Sequence, residues 1–372
     1  MKRLWVGTFA LAIQLAAAGQ AFPLVIESGD FVSHVKALEQ LTFPANSNLY
    51  VAPSAAERSA FYVLACALRE GDIPSADVQA GALDYDLVQF ADTATGQTYH
   101  GLRERLVGGS PTRGWGSYFL NLSFGADALV QVPHPRFDMY TPEIGATVFT
   151  LSGASGFLMA GAHRNANGTG TADVAHLADS IFQEVHKAWV GPAAQTVAWQ
   201  IHGYKGSNHP SIPAGTDAVL SAGDGGVSSE ILRLDVAFAD WGFLCYAYNT
   251  LDPSDPLNVA VNETYPGTTF SSLGATTNVQ GIYSNSLGGS FVHVELEQSI
   301  RFDAWNRSSA AQLIAGAVPE PLALSLLSLG VGVLCLRRGK QRLTGHAAGR
   351  LRRPPPRSRR PCRRHGGCPC TG

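Results

Sequence analysis

The stretch Ala128-Leu129-Val130-Gln131-Val132-Pro133-His134 decides the fold class of this chain of 372 residues. It is a short apolar run that stops at a proline, and a histidine follows directly, so it predicts a buried strand that ends in a loop. Two further apolar runs have the same form, since residues 156–160 lead to His163 and residues 193–201 lead to His202. Three predicted strands that each end at a histidine are typical of a functional site at one edge of a sheet.

The rest of the chain predicts helices between these strands. Apolar residues at helical spacing predict three helices, and β-rich runs predict two more strands. The helices are 55–69, 175–189 and 231–239, and the strands are 243–247 and 290–296. Residues 148–151 fit either the end of a helix or a short strand. Strands that alternate with helices predict an α/β fold with a mostly parallel or mixed central sheet flanked by helices.

Polar residues that suit a metal-dependent hydrolase follow the predicted strands. They are His134, Asp138, Arg164, His202, Glu295 and Arg301. Neutral imidazoles and one carboxylate make a three-ligand zinc site that keeps one position open for water. A further carboxylate can take the proton of that water, and an arginine can bind a substrate carboxylate through two parallel hydrogen bonds. These residue types indicate zinc-dependent hydrolysis.

The order of these motifs resembles the N-formylglutamate amidohydrolase group, which is close to the zinc carboxypeptidases and to the poly-γ-glutamate hydrolases. The resemblance covers residues 126–305. It is carried by Pro133-His134, His163-Arg164-Asn165-Ala166-Asn167, Ile201-His202-Gly203 and the segment from Glu295 to Arg301.

The resemblance implies a zinc exopeptidase-like or amidohydrolase-like fold, one zinc ion, and a small or polymeric substrate with an amide bond near a carboxylate. The implied roles are zinc ligation by His134, His202 and Asp138, general base catalysis by Glu295, and carboxylate binding by Arg164 or Arg301.

Two departures from the group leave alternatives open. Zinc carboxypeptidases have their acidic ligand three residues after the histidine, whereas Asp138 lies four residues after His134, so Glu143 is a rival for the third position. The group has an aspartate where this chain has Asn165, which leaves the role of Asn165 open. His163 is predicted to be a structural neighbour of the site and not a ligand.

A non-catalytic function is the alternative to a hydrolase. A cell-surface or extracellular matrix protein could use the same fold as a binding module, because fold does not imply function. A glycosidase ranks last, since it needs two carboxylates at a glycosidic bond and the motifs here are centred on histidines. No Gly-x-Ser-x-Gly segment is present, which argues against a serine hydrolase.

Both ends of the chain carry sequences typical of export. Lys2 and Arg3 precede an apolar run and a small-residue cleavage site, which predicts a signal peptide over residues 1–21. Residues 318–338 hold a Pro-Glu-Pro triplet, an apolar run of about fifteen residues and two arginines, and they resemble a PEP-CTERM sorting signal. The resemblance implies an exosortase partner in a Gram-negative bacterium and a place in the cell envelope, at the cell surface or outside the cell. An ordinary transmembrane anchor is the alternative interpretation.

A single domain over residues 22–317 and a disordered basic tail over 339–372 complete the predicted organisation. Residues 337–372 hold 12 of the 27 Lys and Arg and no acid, which leaves 15 basic against 29 acidic residues elsewhere, a net charge of −14. Such an acidic body argues against binding of nucleic acid. Cys66 and Cys245 are the only cysteines of the predicted domain and could form one disulfide.

Overall fold

The computed structural model describes residues 24–319, apart from 124, 192–195, 264 and 266–271. In this part of the chain ten strands form one sheet with helices on both faces. The strands are β1 (Val25–Gly29), β2 (Tyr85–Asp92), β3 (Thr98–Glu104), β4 (Ser117–Leu120), β5 (Ala126–Val132), β6 (Ala154–Met159), β7 (Val197–Tyr204), β8 (Ala218–Ser221), β9 (Cys245–Tyr248) and β10 (Phe291–Glu297). The helices are α1 (Phe31–Leu41), α2 (Ala55–Arg69), α3 (Ile73–Ala82), α4 (Thr141–Ser152), α5 (Ile181–Val190), α6 (Ser229–Trp241), α7 (Pro256–Val261), α8 (Val279–Ser286), α9 (Gln298–Phe302) and α10 (Ala304–Ala317).

The sheet is mixed. Its strand order is β1-β2-β3-β4-β6-β5-β7-β10-β8-β9. The pairs β1–β2, β6–β5, β5–β7, β7–β10 and β8–β9 are parallel, and the other neighbours are antiparallel. The predicted α/β class with a mostly parallel or mixed sheet is therefore confirmed. The four strands before residue 125 belong to the same sheet as the strands after it.

Two hydrophobic cores lie on opposite faces of the sheet. Successive side chains of a strand point to opposite faces, and in β5 Val130 enters one core while Leu129 enters the other. The first core also contains buried residues of α1, α4, α6 and α10, and the second contains those of α2, α3 and α5. The arrangement is a three-layer sandwich of helices, sheet and helices.

Local signals explain most of the helix boundaries. Ser54 and Glu57 form a reciprocal capping box before α2, and its bounds agree with the predicted helix. Residues 148–151 belong to α4, which settles the ambiguity over this segment. The predicted start at 175 is wrong, because the Ser180 side chain accepts from the Gln183 N–H and caps α5 at that later point.

The suggested disulfide is not formed. Cys66 is a partly buried residue of α2 beside the second core, whereas Cys245 belongs to the first core, and both are free thiols. In the part of the chain that the structure describes, no helix combines the length and apolar character needed to cross a membrane. The predicted signal peptide, the apolar run of the sorting signal and the basic tail lie outside the described residues.

Candidate metal centre

Three ligand-type atoms converge at the carboxyl end of the parallel strands. The Oδ2 atom of Asp138 lies 3.2 Å from Nδ1 of His134 and 3.2 Å from Nδ1 of His202. The centroids of the two imidazole rings are 4.8 Å apart, and all three side chains are buried. This geometry could hold one metal ion. The structure therefore brings together the three residues that the sequence predicts as ligands.

The loop after β5 explains how an acid four residues from the histidine reaches it. The Asp138 N–H donates to the His134 carbonyl at 2.9 Å, so the chain makes a single helical turn between them. The Thr141 hydroxyl then donates to the Asp138 carbonyl at 2.7 Å, and α4 begins at Thr141. Glu143, the rival third ligand, points elsewhere: it pairs with Arg307 at 3.1 Å and with Lys36 at 3.3 Å.

The two histidines are each held through the nitrogen that faces away from Asp138. The Nε2 atom of His134 lies 2.7 Å from Oδ1 of Asp173, and Nε2 of His202 lies 2.7 Å from Oε1 of Gln200. An imidazole that donates its far N–H to an acceptor presents the electron pair of its other nitrogen, which is the arrangement of most metal-binding histidines.

The charges at the site differ between the two imidazoles. Burial lowers the pKa of His202 to about 4, so this ring is neutral. Burial acts in the same direction on His134, but the hydrogen bonds to Asp138 and Asp173 outweigh it and raise the pKa of His134 to about 9. Burial opposes ionisation of Asp138, yet its contacts with His134 and His202 lower the pKa of its carboxyl below the usual range.

Asp173 contacts a candidate ligand directly, and the sequence analysis missed it. Its carboxylate accepts from His134, forms an ion pair with Arg164, and lies 3.1 Å from Nδ1 of His176. It comes from the loop between β6 and α5, where no periodic pattern marks it. Asn165 has a different role, since its Oδ1 accepts from the Gly170 N–H at 2.9 Å and closes that loop.

Glu295 lies beside His202 on the neighbouring strand. The two residues are register partners in the β10–β7 pair, and Glu295 is buried. Its Oε1 lies 3.5 Å from Nε2 of His293, while its Oε2 has no hydrogen-bond partner. Burial raises the pKa of the Glu295 carboxyl well above its usual range, and the charge of Asp138 adds to the effect.

Arg301 holds backbone carbonyls and is not aimed at a ligand. It donates to the carbonyls of Leu296 at 3.0 Å, Met139 at 2.7 Å and Tyr204 at 3.1 Å. A Cβ atom on Gly203 would lie 2.2 Å from its Nε, so the glycine after His202 makes room for this side chain.

The site opens into a cleft of about 440 Å³. Its lining includes the candidate ligands, Glu295 and the cations Arg164, Lys205 and Arg301. Three exposed apolar side chains, Phe137, Met139 and Phe302, lie on its wall. Lys205 is exposed, and among the described residues it forms no ion pair. The cleft is therefore lined by the buried candidate ligands and by apolar and cationic side chains.

Comparisons with known proteins give a distant likeness in fold only. No protein-family model and no curated protein matches the chain. An N-formylglutamate amidohydrolase from Ralstonia eutropha JMP134 aligns with 57% of this chain and 95% of its own, at 9% identity and a TM-score of 0.34. A protein assigned as a carboxypeptidase A from Shewanella denitrificans OS-217 aligns with 55% of this chain and 60% of its own, at 11% identity and a TM-score of 0.34. Likeness at this level defines neither a family nor an activity for the chain.

Proposed function

We propose that this protein is an exported, zinc-dependent amidohydrolase that cleaves an amide bond near a carboxylate. One observation carries the proposal. Oδ2 of Asp138 lies 3.2 Å from Nδ1 of His202 and 3.2 Å from Nδ1 of His134, so three buried ligand-type atoms converge and could hold one metal ion. A buried carboxylate needs a cation beside it. Without a metal, protonated His134 supplies that charge, and a bound metal ion would take the place of the proton on Nδ1.

The donor set suits zinc. Two imidazole nitrogens and one carboxylate oxygen are common zinc ligands and leave a fourth position open, although they admit other first-row metals. His134, Asp138 and His202 would hold the ion. Once bound, zinc polarises the amide carbonyl and lowers the pKa of a water molecule towards ~7.

Glu295 is the proposed general base. Its unpartnered Oε2 is available to accept a proton from a water molecule in the cleft and to pass it to the leaving amine. His293 beside it limits the positions that the carboxylate can take. Glu297, the next acidic residue of β10, is engaged elsewhere, since it caps α9 and accepts from the Gly206 N–H at 3.1 Å.

Lys205 and Arg164 are the proposed anchors for the substrate carboxylate. Arg301 was the other candidate, but three of its N–H groups already bond to carbonyls. Lys205 lines the cleft and forms no ion pair with the residues that the structure describes, and Arg164 retains N–H groups beyond its ion pair with Asp173. Replacement of Lys205 by Met should raise the KM of a carboxylate substrate with little change in kcat.

Export and the exosortase partner remain proposals that rest on the sequences of the two ends. The acidic domain would act in the cell envelope or outside the cell, after removal of the signal peptide and processing of the sorting signal. A fusion of residues 318–338 to a reporter should be cleaved only in cells that contain an exosortase.

A matched pair of variants tests the catalytic proposal. The purified protein is supplied with zinc and assayed on N-acyl amino acids and on the same compounds with the carboxylate converted to an amide. Glu295→Gln should retain one equivalent of metal and lose activity by roughly 10²–10⁴, while Glu297→Gln should stay within a few-fold of wild type. A wild-type protein that binds no metal and hydrolyses none of these substrates would favour the non-catalytic alternative.

A further inference from the structure

A chain of buried side-chain amides leads from His202 into the centre of the molecule. Gln200 lies between His202 and two other glutamines, Gln131 and Gln280, and all four side chains are almost fully buried. The sheet register creates this row, because Gln131 pairs with Gln200 in the β5–β7 ladder and period-two alternation puts Gln200 and His202 on one face.

The contacts of Gln200 fix which of its atoms faces His202. Both hydrogens of its Nε2 are used, one on Oε1 of Gln131 at 3.0 Å and one on Oε1 of Gln280 at 3.2 Å. Its Oε1 accepts from Asn278 Nδ2 and lies 2.7 Å from Nε2 of His202. Gln200 has no donor left, so the hydrogen of the last contact belongs to His202.

The outer members of the network prevent Gln200 from turning over. Gln131 uses its own Nε2 to donate to Nδ1 of His186 at 2.7 Å, so its Oε1 must face Gln200. Gln280 donates to Gln183 Oε1 at 2.8 Å and to the Val174 carbonyl at 3.0 Å, so its Oε1 must also face Gln200. A flipped Gln200 would place its amide nitrogen against His202 Nε2 and its oxygen against two other oxygens.

We infer that Gln200 is the positioning residue of His202: its Oε1 keeps the hydrogen on Nε2 and thereby leaves Nδ1 free to bind the metal. This inference rests on the proposed metal centre. It also assigns unequal strengths to the two imidazoles. His134 is backed by the carboxylate of Asp173 and His202 only by a neutral amide, and a carboxylate partner makes an imidazole the stronger donor.

Three substitutions separate positioning from general packing. Gln200→Leu removes the acceptor and should weaken zinc affinity by roughly 10–100-fold, measured by competition with a chromophoric chelator. Gln200→Glu keeps an acceptor for His202 but loses the donors to Gln131 and Gln280, so it should retain affinity while losing stability. Gln131→Leu breaks the same network without touching His202, and it should lose stability at unchanged affinity.

The Gln200→Leu protein could fail to fold, so a second measurement tests the inference on the wild-type protein without metal. Imidazole ¹⁵N shifts of the metal-free wild-type protein should show His202 protonated at Nε2. Protonation at Nδ1 would overturn the inference, and so would a folded Gln200→Leu protein with wild-type zinc affinity. If the wild-type protein carries the proton on Nε2 but binds no metal, the proposed function is wrong. The role of Gln200 in selecting the tautomer of His202 would still hold.

Discussion

Each candidate ligand is held in its orientation by a hydrogen bond to another part of the protein. Asp138 is turned back by the Pro-His-Pro loop, His134 is held by Asp173, and His202 is held by Gln200. A preorganised set loses little conformational freedom when an ion binds. Removal of any one ligand should therefore cost more affinity than the loss of a flexible surface residue.

Metal content tests the assignment of each ligand. His134→Ala and His202→Ala should each lose bound zinc when the purified proteins are analysed for metals. His163→Ala is the matched control, because His163 lies near the loop yet uses its Nδ1 to accept from the Asn165 N–H at 3.0 Å. A full equivalent of zinc in either of the first two variants would remove that histidine from the set, and zinc loss in the control would add His163 to it.

Asp235 should make the stability of the protein depend on pH. This residue of α6 is buried beside Cys245, and burial raises its pKa from an ordinary 3.8 to about 7. The folded state thus binds a proton that the unfolded state releases. The associated stability is fully present below pH 3.8 and is lost as the pH rises through 7.

Denaturation of two variants at pH 5 and pH 9 checks this expectation. The wild type should lose stability between the two values, while Asp235→Asn should lose much less and be the more stable protein at pH 9. Asp240→Asn changes an exposed aspartate of the same helix and should follow the wild type. If Asp235→Asn loses as much stability as the wild type between pH 5 and pH 9, ionisation of Asp235 does not destabilise the folded protein.

At the scale of elements, Arg301 joins the ends of three strands. The carbonyls that it binds follow β5 and lie at the ends of β7 and β10, which are the three strands that carry the site. Its guanidinium therefore sets the spacing between the loop with Asp138 and the strand with His202. A structural role of this kind explains why an arginine near the cleft does not need to contact a substrate.

Replacement of Arg301 by Gln should destabilise the fold. The carbonyls of Leu296 and Tyr204 are buried, that of Met139 is partly buried, and all three would lose their donors. A buried carbonyl left unsatisfied costs about 1–3 kcal/mol. Urea denaturation should show a loss of several kcal/mol. Arg233→Gln, which removes a half-exposed ion pair with Glu230, should cost no more than about 1 kcal/mol. Equal losses in the two variants would show that the three carbonyls find other partners.

The sequence predicted the strands that carry the site better than the contacts between the side chains of the site. The strand before His134 was visible from its apolar run, because a buried strand must be apolar and its loop need not be. The predicted end at His202 was wrong, since β7 continues through this residue to Tyr204. Asp173 could not be found in this way, since it lies in an irregular loop and only the folded chain brings it next to His134. Gln131 and Gln200 did leave a signal, as each interrupts an apolar strand, and a buried amide needs partners.

At the scale of the whole molecule, the described domain should fold without the basic tail. The last helix of the described residues, α10, ends at Ala317, but Val318 is also buried in the first core. A protein cut after Pro319 should unfold at the wild-type temperature. One cut after Ala317 should be weaker, because burial of a valine contributes about 1.5–3 kcal/mol. A large loss in the longer protein would mean that the tail packs against the domain.

The position of β10 has a consequence for the order in which this protein becomes competent. β10 is the last strand of the described chain, yet it lies inside the sheet, between β7 and β8. Until it is synthesised and inserted, both neighbours keep an unpaired edge, and edges of this kind pair readily with other chains. Pairing of strands so distant in sequence is also intrinsically slow. A growing chain therefore carries the candidate ligands His134, Asp138 and His202 before it has Glu295, so a nascent protein could capture metal before the proposed general base exists.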